Sequence, residues 1–310
     1  MNVHTQPQIQ AQTSTTPLRI RMISDMKGRN LGPASQRSHL RACKRFAAWL
    51  RRSPDTATPD DVKYFQEYLI ESGVSICTRN QTMTGVKFLF RVTLRRHDLV
   101  AEIFNLKEPV KVPLVLSKQE VKRILAMAPS LKAKVMLSLA YGCGMRAGEV
   151  VRLKVGDIDS AQNIIRIVQA KGRKDRNVML PSDILDLLRD WWKERPTNLD
   201  KGVERNDRLL FPGYGGKHLS SRQISRLFKK AAQAAAITKP VTLHTLRHSF
   251  ATHLLERGVD IRVIQALLGH TKLTTTARYA SVATGMIAAV DSPLDDLTSL
   301  KRKRTKPRSS

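Results

Sequence analysis

Acidic residues are scarce in this chain. Its 310 residues include 26 Asp and Glu against 54 Lys and Arg, a net charge of +28 at neutral pH. A neutral metabolic enzyme has no need of such an excess, whereas a partner carrying regular negative charge does, so nucleic acid leads on composition alone. The surplus is not confined to one tail. Residues 18–110 hold 17 basic and 9 acidic side chains, residues 111–300 hold 31 and 17, and residues 301–310 hold six and none. Cysteine is rare too. Cys43, Cys77 and Cys143 are odd in number and form no CxxC pair, which excludes a disulfide framework and a zinc ribbon. Their apolar neighbours predict three buried free thiols in a reducing compartment. Long apolar runs are missing: the longest stretch, residues 135–145, lies between Lys134 and Arg146 and is too short to span a bilayer. Residues 1–17 lack the basic start and apolar core of a secretory signal. These absences predict a soluble, cytoplasmic protein with no membrane segment. No internal repeat is visible.

The length suggests two domains, and 41% apolar residues suffice for ordinary cores. The Gln/Thr-rich residues 1–17 are expected to be disordered. From about Ser35 the pattern becomes helical, with Leu40, Cys43, Phe46, Ala47 and Leu50 at spacings of three and four. Thr58-Pro59-Asp60-Asp61 is a sharp helix start: a capping hydroxyl, a proline at the first helical position and acids at the positive end. Val62, Phe65 and Leu69 form its inner face, and Gly73 ends it. A third helix is predicted over 78–95, with Met83, Val86, Leu89 and Phe90 inward. Residues 18–110 are thus read as a small helical bundle with a basic exterior.

The two prolines of KEPVKVPLVL (107–116) predict an extended linker. Ser117-Lys118-Gln119-Glu120 is a capping box that opens a second domain over 111–300. There, a helix over 132–141 meets a break at Gly142-Cys143-Gly144, and a new helix begins at Arg146. Residues 164–168 and 177–180 alternate as a β-hairpin around a basic loop, 171–176. Helices follow over 221–235, 244–257 and 260–268, the last two stopped by Gly258 and Gly269. The fold class is mainly α with one small antiparallel β-sheet. Residues 301–310 (KRKRTKPRSS) are read as a disordered basic arm that attracts phosphates.

Six polar residues of the second domain stand out. Arg146 follows the double-glycine break near a helix start, a place suited to an anion. His244 and Arg247, three apart, share one helix face and pair a titratable ring with a five-donor fork. His270 follows the helix-ending Gly269, Tyr279 comes nine residues later, and Lys171 sits in the basic hairpin loop. Each taken singly has a plainer reading, as a packing residue or a solvated charge. Taken together they suit a phosphodiester attacked without metal or cofactor, because no Asp/Glu cluster has metal-ligand spacing. Tyr279 would attack and conserve the bond energy as a phosphotyrosine. Two arginines would clamp the non-bridging oxygens as charge builds, a lysine would protonate the departing 5′ oxygen, and a histidine would accept the tyrosyl proton.

The same residues carry a family resemblance. LHTLRHSFATHLLERGVDIRVIQALLGHTKLTTTARY, together with YGCGMRAGEVVRL and QAKGRKDRNVML, resembles the tyrosine recombinases, relatives of phage lambda integrase, Cre and the bacterial Xer proteins. The likeness covers roughly Ser35 to Leu297. It implies an active-site set of Arg146, Lys171, His244, Arg247, His270 and Tyr279, with Glu149 in support. Lys174, three residues from Lys171, competes for the acid role and is read as a phosphate contact. His248 and His253 are read as structural. The resemblance further implies a SAM-like core-binding domain (18–110) and a catalytic domain (111–300) closing on duplex DNA, working as a homotetramer on two DNA sites, with or without a second recombinase. Segment VATGMIAAVDSPLDDL is similar to recombinases of rolling-circle insertion sequences. The activity implied is site-specific DNA cleavage and rejoining through a 3′-phosphotyrosyl intermediate. A type IB topoisomerase and a non-catalytic DNA-binding protein are the alternatives. The target site, and the choice among integration, excision, inversion and dimer resolution, are not encoded in any motif.

Overall fold

In a computed structural model, residues 16–109, 112–168, 175–270 and Thr276 are described. The chain divides into two compact units between Val110 and Lys111. In the first, α1 (Pro17–Gly28), α2 (Pro33–Leu50), α3 (Pro59–Glu71), α4 (Ile76–Phe88) and the short α5 (His97–Ala101) follow one another. Thr58 caps α3 as expected, and Asp61 completes a capping box with it. The inner faces of α2, α3 and α4 bring Phe46, Phe65 and Met83 into one core, with Phe46 edge-on to Phe65 at 4.9 Å. The helix predicted over 78–95 is continuous, but its end, Leu89–Leu94, widens into a π turn. That widening turns two consecutive residues inward. Phe90 joins the main core, while Leu89 packs on Met22 and Met26 of α1.

Two expectations about this unit need correction. Pro17, placed in the disordered start, already forms the first turn of α1, capped by Thr16; residues 1–15 lie outside the described residues. Leu18, Met22, Ile23 and Met26 lie on one side of α1 and pack with Leu89, while Ile20 faces outward. Cys77 is exposed, because it lies on the outward side of the first turn of α4, whose Arg79 is buried; Cys43 is half-buried and Cys143 buried, and all three are free.

The second unit contains α6 (Lys118–Ala126), α7 (Leu131–Gly142), the single-turn α8 (Ala147–Val150), β1 (Ile158–Asp159), β2 (Ile164–Ile167), β3 (Arg176–Met179), α9 (Ser182–Glu194), α10 (Ser221–Ala234), α11 (Leu243–Leu255) and α12 (Ile261–Leu268). Five consecutive apolar or small residues, Val135 to Leu139, are buried in α7, so this helix is apolar all round and serves as the centre of the unit. Helices α6, α9, α10 and α11 pack about it. The predicted hairpin is β2–β3, and β1 adds a third antiparallel strand at its edge, giving the order β1-β2-β3. Among the described residues, no helix is long and apolar enough to cross a membrane.

Candidate active site

The end of α7 sets the first functional side chain. Gly144 turns the chain with φ +60°, and a Cβ there would lie 2.5 Å from Phe250 of α11, so the position demands glycine twice over. Arg146 then caps α8. Its backbone N–H donates to Glu149 Oε2 at 2.8 Å, and its Nη1 donates to Oε1 at 2.9 Å. Helix α11 brings the second arginine. Two ties fix this helix: His253 Nδ1 meets the Tyr141 hydroxyl at 2.9 Å, and the Leu116 N–H donates to Ser249 Oγ at 2.9 Å. Arg247, 1% exposed, donates to the carbonyls of Gly144 and Leu268 and lies 4.0 Å from Glu149.

Helix α12 ends in the left-handed Gly269, φ +61°. Three successive carbonyls at this end accept from three arginines of different elements. Leu267 O accepts from Arg176 Nε at 2.8 Å, Leu268 O from Arg247, and Gly269 O from Arg146 Nη2 at 3.4 Å. Carbonyls at a helix C-terminus lack intrahelical donors and carry the negative end of the helix dipole, so cations suit them. Arg176 also grips Glu149 with both terminal nitrogens, at 3.0 and 2.8 Å. One carboxylate and one helix end therefore hold three guanidiniums together.

Burial acts to raise the Glu149 pKa, but the Arg176 pair and the Arg146 hydrogen bonds outweigh it and hold the carboxyl at about 2. Three arginines against one carboxylate leave a surplus of two positive charges, which an anion would neutralise. The imidazoles do not add to it. Burial, then Arg247 and Arg146, lower His270 to about 4; burial, then His244 and Arg247, lower His248 to about 4. His244 is lowered in the same direction by burial, Arg247 and Arg146. Its ring meets that of His248 edge-on at 4.5 Å. His270 Nε2 lies 3.4 Å from Arg247 Nη2, and its Nδ1 lies 3.0 Å from Thr276 Oγ1. All these rings are neutral at pH 7 and can take up a proton.

Arg146, His244, Arg247 and His270 thus come together, with Glu149 between the arginines. Lys171, Lys174 and Tyr279 lie outside the described residues. Motif reading missed Arg176, although strand register could have found it. Arg176 pairs with Ile167, which is buried, and residues directly opposite each other in a ladder share one sheet face. A cation on that face needs a buried acid.

The chain matches the phage integrase family over residues 115–286 and the phage integrase N-terminal SAM-like domain over residues 18–97. It is 40% identical over 283 residues to the integrase/recombinase y4qK of Sinorhizobium fredii, covering 90% of this chain and 89% of that one. With the tyrosine recombinase XerD of Ralstonia nicotianae it shares 35% over 251 residues, 77% of this chain and 80% of the relative. The fold is shared with the XerH site-specific recombinase, solved on its palindromic difH substrate after cleavage. That similarity has a TM-score of 0.65 at 22% identity, covering 84% of this chain and 80% of the other.

Proposed function

The chain belongs to the phage integrase family, and from that premise we propose that Arg146, His244, Arg247 and His270 are completed by Lys171 and Tyr279 into one active site. The protein is a tyrosine-type site-specific recombinase that binds DNA and cleaves and rejoins its strands. The observation that carries the assignment is the arginine cluster on Glu149 and the end of α12. Two guanidiniums, Arg146 and Arg247, clamp the non-bridging oxygens of the scissile phosphate, where charge builds in the pentacoordinate transition state. Tyr279 Oη attacks phosphorus, forming the 3′-phosphotyrosyl bond and breaking the bond to the 5′ oxygen. Lys171 gives that oxygen its proton, and a neutral imidazole of His244 or His270 accepts the tyrosyl proton. Attack by the freed 5′ hydroxyl of a second strand reverses the sequence and restores Tyr279.

Residues 18–110 form the core-binding domain and 111–300 the catalytic domain in this reading. Four protomers act on two DNA sites, each sending the apolar residues Val282, Met286, Ile287 and Val290 to a neighbour. The similarity of the C-terminal segment to recombinases of rolling-circle insertion sequences supports work on a mobile element in the cytoplasm. Covalent adducts trapped on the native genome, with their DNA ends sequenced, identify the target. On a nicked duplex of that target, Tyr279→Phe removes only a hydroxyl, so binding persists and the denaturing-gel adduct disappears. An adduct of unchanged yield refutes the nucleophile.

A further inference from the structure

Arg176 performs no step in the reaction above, yet every nitrogen of its guanidinium is held beside the site. It begins β3, opposite Ile167, so the basic hairpin loop leaves the sheet between these two residues. Its side chain is 8% exposed. All three guanidinium nitrogens are engaged: Nη1 and Nη2 on Glu149, and Nε on the Leu267 carbonyl. A Cβ added to Gly269 would lie 3.0 Å from Arg176 Cδ, so the end of α12 closes directly over the arginine. Glu149 in turn holds Arg146 through two hydrogen bonds. One buried fork therefore joins the hairpin to the phosphate clamp.

We propose that Arg176 is a positioning residue for leaving-group protonation: it fixes the end of the Lys171 hairpin to the arginine cluster without touching a reacting atom. The inference rests on the reading of Lys171 as the acid. Lys171 is five residues from Arg176 in sequence, an arm of at most about 17 Å. A misplacement of a catalytic group near 1 Å costs on the order of 100-fold in rate. The short bidentate pair with Glu149 restrains the strand end from which the loop leaves. A lysine in place of Arg176 would keep the charge and lose the fork.

The test uses the full chain and two versions of the nicked target duplex, one with the normal 5′ oxygen at the scissile bond and one with sulfur. A departing thiolate needs no proton, so the sulfur substrate bypasses the acid. Arg176→Met should cleave the oxygen substrate on the order of 100-fold more slowly than wild type, cleave the sulfur substrate at close to the wild-type rate, and bind both normally. Lys171→Ala should show the same pattern. Rescue of Lys171→Ala alone, with Arg176→Met equally slow on both substrates, overturns the role of Arg176 and leaves the acid in place. Rescue of Arg176→Met alone keeps Arg176 as the positioning residue and moves the acid role off Lys171. Failure of both variants on sulfur overturns both assignments. Where Arg176→Met is too unstable to bind DNA, Arg176→Lys gives the same comparison with a smaller loss.

Discussion

Replacing Glu149 by Gln removes one negative charge from among three guanidiniums while keeping the side-chain shape. The carboxyl is held at about 2 against a free value of 4.5. At 1.36 kcal/mol per pK unit, this difference corresponds to about 3 kcal/mol of folding stability at pH 7. Breaking a buried ion pair by removing one partner costs about 3–5 kcal/mol, so the two routes agree. For a unit of this size each kcal/mol moves the melting temperature by about 2–4 °C, and the Gln variant should melt roughly 6–12 °C lower at pH 7. The carboxylate contribution is complete above pH 4.5 and vanishes as pH falls through about 2. The deficit of the variant should therefore be constant from pH 7 to about pH 5 and close between 4.5 and 2. Calorimetric melting of both proteins across this range is the assay. Equal melting temperatures at pH 7, or a gap that persists at pH 2, would refute the counter-charge role of Glu149.

Arg247→Lys keeps a positive charge but forfeits the fork that reaches both Gly144 and Leu268; cleavage should fall at least ~100-fold while the salt dependence of DNA binding stays put. Intact cleavage would remove Arg247 from the clamp. His248 and His270, at about 4 when folded against 6.5 when free, bind fewer protons in the folded chain than in the unfolded one between those values. Stability should fall as pH drops from 6.5 to 4, and His248→Asn should flatten the slope of the urea midpoint against pH; an unchanged slope would contradict the buried neutral rings. Deleting residues 301–310 removes six cations and should reduce the slope of log binding constant against log salt by up to about 5. An unchanged slope would show that this arm does not contact DNA.

Local signals made much of this molecule legible. Thr58 through Asp61 announced α3, Ser117 through Glu120 announced α6, and the Gly269 stop placed the end of α12. The motif order placed Arg146, His244, Arg247 and His270 as candidates, and they converge. What escaped lacked a local signature or was passed over. Helix α1 depends on distant Leu89, and β1 is two residues long. Helix α9 did carry Ile184, Leu188 and Trp191 at helical spacing. The partner of Arg176 is 27 residues away in sequence, so only strand register points to it. At Cys77, apolar neighbours misled because this residue lies on the outward side of a turn whose inward side is taken by Arg79.

The three carbonyls that end α12 have an evolutionary consequence. Each is occupied by an arginine from another part of the chain, and those arginines share Glu149. Groups wired to common partners do not contribute independently; the loss of a second member costs little once the first is gone. Arg146, Glu149, Arg176, Arg247 and the backbone of residues 267–269 therefore form one epistatic unit. Changes within it are coupled, so the cost of any one depends on which others have already been made. Refitting this unit takes coordinated changes, whereas residues that share none of its partners can change independently.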